Sequence, residues 1–226
     1  MKKLRLYFSI LILLTGCAMY GQTTMTVEER NERVRERWNR SLVGDSTYVF
    51  NKEANNLLAQ ITGEIKPGKA LCVAMGQGRN ALFLARNGWD VTGFDLADKA
   101  VAYAEKQAEN ENLILTTYIE SFDTFNYGEN RWDLITWLYG GCLEVDEIAQ
   151  KIKAALKPGG LFVFEFFHRE AGIAMGRPQF GCEKDAVKDM FLKEGGFSIL
   201  LYEEKEGTAD YSLKPHRLIY MVLSKS

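Results

Sequence analysis

Apolar and polar positions along this 226-residue chain change period several times, and each change marks an element. Val27 to Arg40 is a charged stretch with Val34 and Trp38 on one helical stripe. Its Glu29–Arg33 and Glu36–Arg40 pairs stand four residues apart, the spacing at which opposite charges support a helix. Gly44 to Phe50 breaks the pattern. Ala54 to Ile65 then predicts a second helix, closed by Pro67-Gly68. From there short apolar runs alternate with helix-period segments. Strands are predicted over 70–75, 90–95, 113–119, 133–138 and 161–167, and helices over 79–87, 98–109 and 144–156. A turn is expected at Lys157-Pro158-Gly159-Gly160. Such alternation predicts a parallel sheet with helices on both faces. The end differs: a helix over 183–194 leads into 197–203 and 216–225, two strands joined only by a loop, which must pair antiparallel. No repeat, linker or low-complexity segment interrupts the pattern.

The first apolar run, Ala70 to Met75, ends in Gly76-Gln77-Gly78, and a helix follows directly with Ala81, Leu84 and Ala85 on one face. The second run, Val91 to Phe94, ends in Asp95. Glycine adopts positive φ at little cost, and without a Cβ it lets a ligand approach the backbone. The helix N-terminus behind the turn presents free N–H groups. A carboxylate about 20 residues on is placed to accept ribose hydroxyls. Strand, glycine turn, helix, strand and acid together point to a nucleoside-type ligand. Gly76 to Ala81 also fits the G-x-G-x-x-A form of a dinucleotide site, so an NAD(P)-dependent oxidoreductase is one alternative, and a non-catalytic nucleoside-binding exported protein another. Three features disfavour the dinucleotide reading: the chain is short for two mononucleotide halves, no second glycine-rich turn follows strand 133–138, and the closing hairpin is foreign to that sheet.

The termini and composition narrow the picture. Lys2, Lys3 and Arg5 precede an apolar stretch, Leu6 to Leu14, too short to span a bilayer. Leu14-Thr15-Gly16-Cys17 reads as a lipobox, with a lipid anchor at Cys17; cleavage near Gly21 is the competing reading. A start at Met25 would make the protein cytoplasmic. The expected organisation is therefore an export signal over 1–21, a helical cap over 22–66 and an α/β domain over 67–226. The net charge of −2 gives no basic footprint for nucleic acid. Beyond Cys17, Cys72, Cys142 and Cys182 match no zinc spacing, and their odd number argues against a complete disulfide framework. Cys72 lies in a predicted buried strand, where a free thiol behaves as a small apolar residue. His168 and His216 are far apart in sequence, so no metal site is expected.

The chain resembles the class I S-adenosylmethionine-dependent methyltransferases over nearly its whole mature length. The resemblance rests on the glycine turn, Asp95, Trp132-Asp133-Leu134-Ile135, Lys157-Pro158-Gly159-Gly160 and the terminal hairpin. Gly78 to Ala85, with Arg37-Trp38-Asn39-Arg40 and Tyr48-Val49-Phe50 upstream, is similar to the tellurite-resistance and thiopurine methyltransferase branch. The resemblance implies an α/β fold, a Rossmann-like seven-stranded and mostly parallel sheet with the last strand antiparallel. It implies S-adenosyl-L-methionine across the ends of the first two strands. Ala74, Met75, Gly76 and Gly78 would meet its methionine part and ribose. Asp95 would hold the ribose hydroxyls, Leu96 would touch adenine, Ser121 and Phe122 would flank the adenine edge, and Leu138 would line the floor. Two positions depart from the pattern: Cys72 stands where an acid is usual, and Ala74 where glycine is usual. Either change lowers affinity or marks a distinct loop geometry.

Methyl transfer from a sulfonium needs alignment more than acid catalysis, because the leaving group is neutral. A thiolate or other chalcogen nucleophile needs little else, whereas a hydroxyl or amine needs a base. Tyr139, ending the fourth strand, and His168, after the fifth, are the catalytic candidates. Trp38, Tyr48 and Arg177 are candidates for acceptor binding. One tension stands: S-adenosylmethionine is made in the cytoplasm, while the N-terminus reads as export.

Overall fold

Five apolar stretches stack as parallel strands: β1 (Lys69–Val73), β2 (Asp90–Asp95), β3 (Thr116–Ile119), β4 (Trp132–Leu138) and β5 (Leu156–Phe167). Two more, β6 (Phe197–Thr208) and β7 (Pro215–Lys225), complete a seven-stranded sheet ordered β3-β2-β1-β4-β5-β7-β6. β7 runs antiparallel to both of its neighbours. The computed structural model describes residues 26–44, 49–143, 145–193 and 195–226. The export signal, Cys17 and Tyr48 lie outside the described residues.

The parallel strands read as continuous apolar runs because helices cover both faces. Successive side chains alternate between those faces. Leu71, Val73, Ile135 and Trp137 point into one layer, under α5 (Asp146–Ala155) and α7 (Ala186–Leu192). Ala70, Cys72, Leu134 and Leu138 point into the other, under α2 (Asn56–Gly63), α3 (Arg79–Arg86) and α4 (Asp98–Asn110). Cys72 is buried and free, with its thiol pushed up to about 12 by desolvation, which Thr136 only partly offsets.

Several boundaries move for identifiable reasons. β3 begins at Thr116 rather than 113, because the Leu113 N–H turns back to the Ala108 carbonyl and closes α4. Lys157 to Gly160 is not a free turn. It keeps the turn, with Gly159 at φ 77°, as an unpaired bulge inside β5: Trp132 pairs with Leu156, the register slips, and pairing resumes at Leu134–Leu161. The irregular stretch after β5 contains a short helix, α6 (Arg169–Ala174), capped by His168. β6 extends to Thr208, since its ladder with β7 continues to the Thr208–Pro215 pair.

Ahead of the sheet, α1 (Val27–Asn39) starts with a capping box between Thr26 and Glu29 and runs on into a wide π-type turn, Arg40–Gly44. Polar contacts fasten this segment to the loop after β2 and the start of α4. Asn39 Nδ2 donates to Asp98 Oδ1 at 2.6 Å, the Lys99 N–H donates to Asn39 Oδ1 at 3.0 Å, and Arg35 Nε donates to the Leu96 carbonyl at 3.2 Å.

Candidate active site

β1 lies between β2 and β4, whose connections leave in opposite directions, so a crevice opens at the carboxyl ends of these strands. A cavity of about 460 Å³ fills it. Its floor comes from the strand ends: Ala74 and Gly76 after β1, Asp95 and Leu96 at β2, Ser121 and Phe122 after β3, and Tyr139 to Cys142 after β4. Its roof is Val34, Arg37, Trp38 and Leu42 from the N-terminal segment. Phe166, Gln179 to Gly181 and Tyr211 close the far side.

The glycine turn is built by the strand that feeds it. Gly76 takes φ 53°, and its N–H donates to Asp95 Oδ2 at 2.9 Å; the Ala97 N–H donates to Asp95 Oδ1 at 2.8 Å. Burial raises the Asp95 carboxyl above its ordinary value, and the Ala97, Gly76 and Leu96 N–H groups pull it partly back. Each carboxylate oxygen keeps a further lone pair for a ligand hydroxyl. A Cβ on Gly76 would meet only Leu42, at 3.5 Å, so the space beside it is open. A Cβ on Gly78 would come 2.6 Å from the Ala104 Cβ, so that glycine serves helix packing. Ala74, in the usual glycine position, holds φ 51° and still lines the cavity.

Tyr139 also has positive φ, at 61°, an uncommon state for a bulky residue. Its N–H bonds the Glu165 carbonyl at 2.9 Å, its hydroxyl donates to Glu165 Oε1 at 2.8 Å, and it accepts from the Asp210 N–H at 3.1 Å. Burial and the neighbouring carboxylates push the phenol far up, so it stays protonated. Glu165 is 3% exposed, and desolvation raises its carboxyl to about 7. Asp210 is ion-paired with Arg79 and accepts from Asn51 Nδ2 at 2.8 Å and Asn55 Nδ2 at 2.9 Å. This buried network ties the β6–β7 loop to α3, β4 and the residues before α2. It sets Tyr211 in the cavity, with ring centroids 5.0 Å from Tyr139, 4.8 Å from Phe50 and 6.2 Å from Trp38.

The structure thus brings Ala74, Gly76, Asp95, Leu96, Ser121, Phe122, Tyr139 and Trp38 into one cavity. Met75, Gly78 and Leu138 sit outside its lining; Met75 packs against Gly93 and Leu138 joins the lower core. His168 also lies outside the lining. It is buried, its Nδ1 accepts from the Glu170 N–H at 3.2 Å, and its Nε2 faces Glu204 Oε2 at 3.7 Å. Arg177 is exposed and is not among the residues lining the cavity. Sequence reading missed Tyr211, which no local pattern marks, and Cys142, whose position after Gly140-Gly141 at a strand end was a usable signal.

Residues 70–160 match a methyltransferase domain. The cofactor that goes with this match is S-adenosyl-L-methionine. A 66-residue stretch is 38% identical to a probable S-adenosyl-L-methionine-dependent methyltransferase, TehB, of Haemophilus influenzae, covering 29% of this chain and 23% of that protein. The chain therefore spans about a quarter of the curated relative it matches. The crystal structure of TehB from Haemophilus influenzae superposes with a TM-score of 0.65 at 21% identity, over 76% of this chain and 62% of TehB. A structure described under the conversion of a disulfide bond into a thioacetal group during echinomycin biosynthesis gives 0.67 at 18% identity, over 85% and 93%. Sheet order and domain match agree on a class I methyltransferase architecture resembling TehB. The cavity residues fit the cofactor. Its volume falls in the range of small-molecule sites, Gly76 leaves room for close approach, and Asp95 keeps acceptor capacity for a diol.

Proposed function

We propose that the chain transfers a methyl group from S-adenosyl-L-methionine to a small acceptor carrying a thiol or other chalcogen nucleophile. The bound cofactor would supply an activated methyl on a neutral leaving group. The chain's own residues bind, orient and exclude water. Asp95 and the Gly76 turn hold the nucleoside, Ser121 and Phe122 flank it, and Trp38, Tyr139, Phe166, Phe180 and Tyr211 offer the acceptor an aromatic wall.

The acceptor preference is supported by one observation: among the described residues, the two phenols on the acceptor wall are held protonated, and the Glu165 carboxyl stands behind Tyr139, outside the cavity lining. The Tyr139 phenol is held protonated with its hydroxyl engaged on both sides. Tyr211 is likewise pushed up by burial and by Asp95. Glu120 also lines the cavity, beyond the end of β3 at the edge of the sheet. An acceptor that ionises by itself suits such a wall; an alcohol or amine does not. The same reading includes an oxidising compartment, supported by the export-like N-terminus and by a Cys142–Cys182 disulfide.

The test is calorimetric titration with S-adenosyl-L-methionine beside Asp95→Ala, followed by methylation assays on an aromatic thiol, phenol and amine of matched shape. Binding weakened in the variant, with methylation of the thiol alone, is expected. Absence of binding sinks the methyltransferase reading. Equal methylation of the phenol sinks the acceptor argument.

A further inference from the structure

The cavity wall that follows β4 is held by a covalent bond that the reaction scheme above leaves unused. Cys142, in the loop after β4, is joined to Cys182, which lies beyond α6, across 40 residues of chain. The two ends are anchored unequally. Cys182 is fully buried; its N–H bonds the Phe167 carbonyl at 2.9 Å, and its carbonyl accepts from the Arg169 N–H at 2.7 Å. Cys142 is half-buried and lines the cavity, behind Gly140 and a Gly141 at φ 101°. A thiol in the cavity therefore meets Cys142 first, and Cys182 is the shielded leaving group. Exchange proceeds by attack of a thiolate on one sulfur through a mixed disulfide, and access decides which sulfur is attacked.

We propose that Cys142 is a site of thiol–disulfide exchange with small thiols that enter the cavity. The incoming thiol loses its proton to solvent, and its sulfur bonds Cys142 Sγ. The bond between Cys142 Sγ and Cys182 Sγ breaks, and its electron pair leaves on Cys182 Sγ, which takes up a proton. No further oxidant or reductant is consumed. Opening the bond frees the loop of Gly140, Gly141 and Cys142 from the Cys182 side while the two main-chain bonds of Cys182 persist. The acceptor wall would thus respond to the class of molecule the site is proposed to methylate. The inference takes from that reading only the reason for a thiol to enter; exchange needs no methyl transfer.

The experiment uses the full chain purified without reductant. It is mixed with mercaptoethanol, quenched with acid at early times, alkylated in denaturant and mapped by peptide mass. A calorimetric titration with S-adenosyl-L-methionine is run on the same preparation. The expected result is a gain of one mercaptoethanol mass on the Cys142 peptide, with Cys182 alkylated. A mixed disulfide on Cys182 with Cys142 alkylated overturns the proposal, as does a Cys142–Cys182 bond that survives the thiol or is absent before it is added. No cofactor binding by the untreated preparation, with the Cys142 adduct formed once thiol is added, would remove the methyltransferase reading alone. An intact disulfide beside normal binding would remove this proposal alone.

Discussion

Gly76 and Gly78 stand two residues apart, and their missing Cβ atoms serve different ends. At Gly78, alanine combines positive φ with a methyl 2.6 Å from the Ala104 Cβ. Backbone strain and overpacking together should cost about 2–4 kcal/mol, read as a lower urea midpoint. Gly76→Ala meets only Leu42, so it should cost about 1 kcal/mol of stability and chiefly weaken S-adenosyl-L-methionine binding in calorimetry. Glu165 offers a prediction with a sign. Its ordinary value of 4.5 is raised to about 7 in the folded chain, so the folded state holds the proton more tightly. Stability from this group is complete below about pH 4.5 and is lost as pH rises through 7. Glu165→Gln, neutral at every pH, should match the wild type near pH 4 and melt higher at pH 8. Equal pH profiles for the two proteins would show that the carboxyl is not buried as described.

At the scale of elements, α1 carries no buried residue, yet it roofs the cavity. Its hydrogen bonds run through Arg35 to the loop after β2 and through Asn39 to the start of α4. Asn39→Ala removes two such bonds and should cost about 1–2 kcal/mol of local stability. The expected signature is faster amide hydrogen exchange in α1, with the exchange of β1 and β4 unchanged. The β6–β7 loop is fastened by the buried Asp210–Arg79 pair, so an element at the chain's end sets the position of Tyr211 in the cavity. Both attachments bring distant segments to one crevice, which the sheet alone would leave open.

The whole molecule carries one cross-link and one free buried thiol among the described residues. Closing 40 residues of chain restricts the unfolded state, so reduction should remove roughly 4 kcal/mol of stability in the chain-entropy account, read as a lower urea midpoint after reduction and alkylation. Cys72 should resist alkylation in the native protein and react only on unfolding, because desolvation disfavours its thiolate.

Periodicity and turn chemistry are local, so the sequence alone determined the alternating elements, the parallel sheet, the antiparallel end and the placing of the glycine turn and Asp95 at the ends of neighbouring strands. The same locality placed the turn at Lys157 to Gly160 but not its setting, an unpaired bulge inside β5 flanked by residues that pair with β4. It also gave His168 a rim position, whereas helix capping and the proximity of Glu204 turned its ring into the protein. Tyr211 reaches the cavity only because Asp210, 131 residues from Arg79, finds it across the fold. Cys142 and Cys182 meet for a similar reason: β5 and α6 fold back beside the end of β4. Elements follow from spacing along the chain. The acceptor wall was decided by side chains that only tertiary packing makes neighbours.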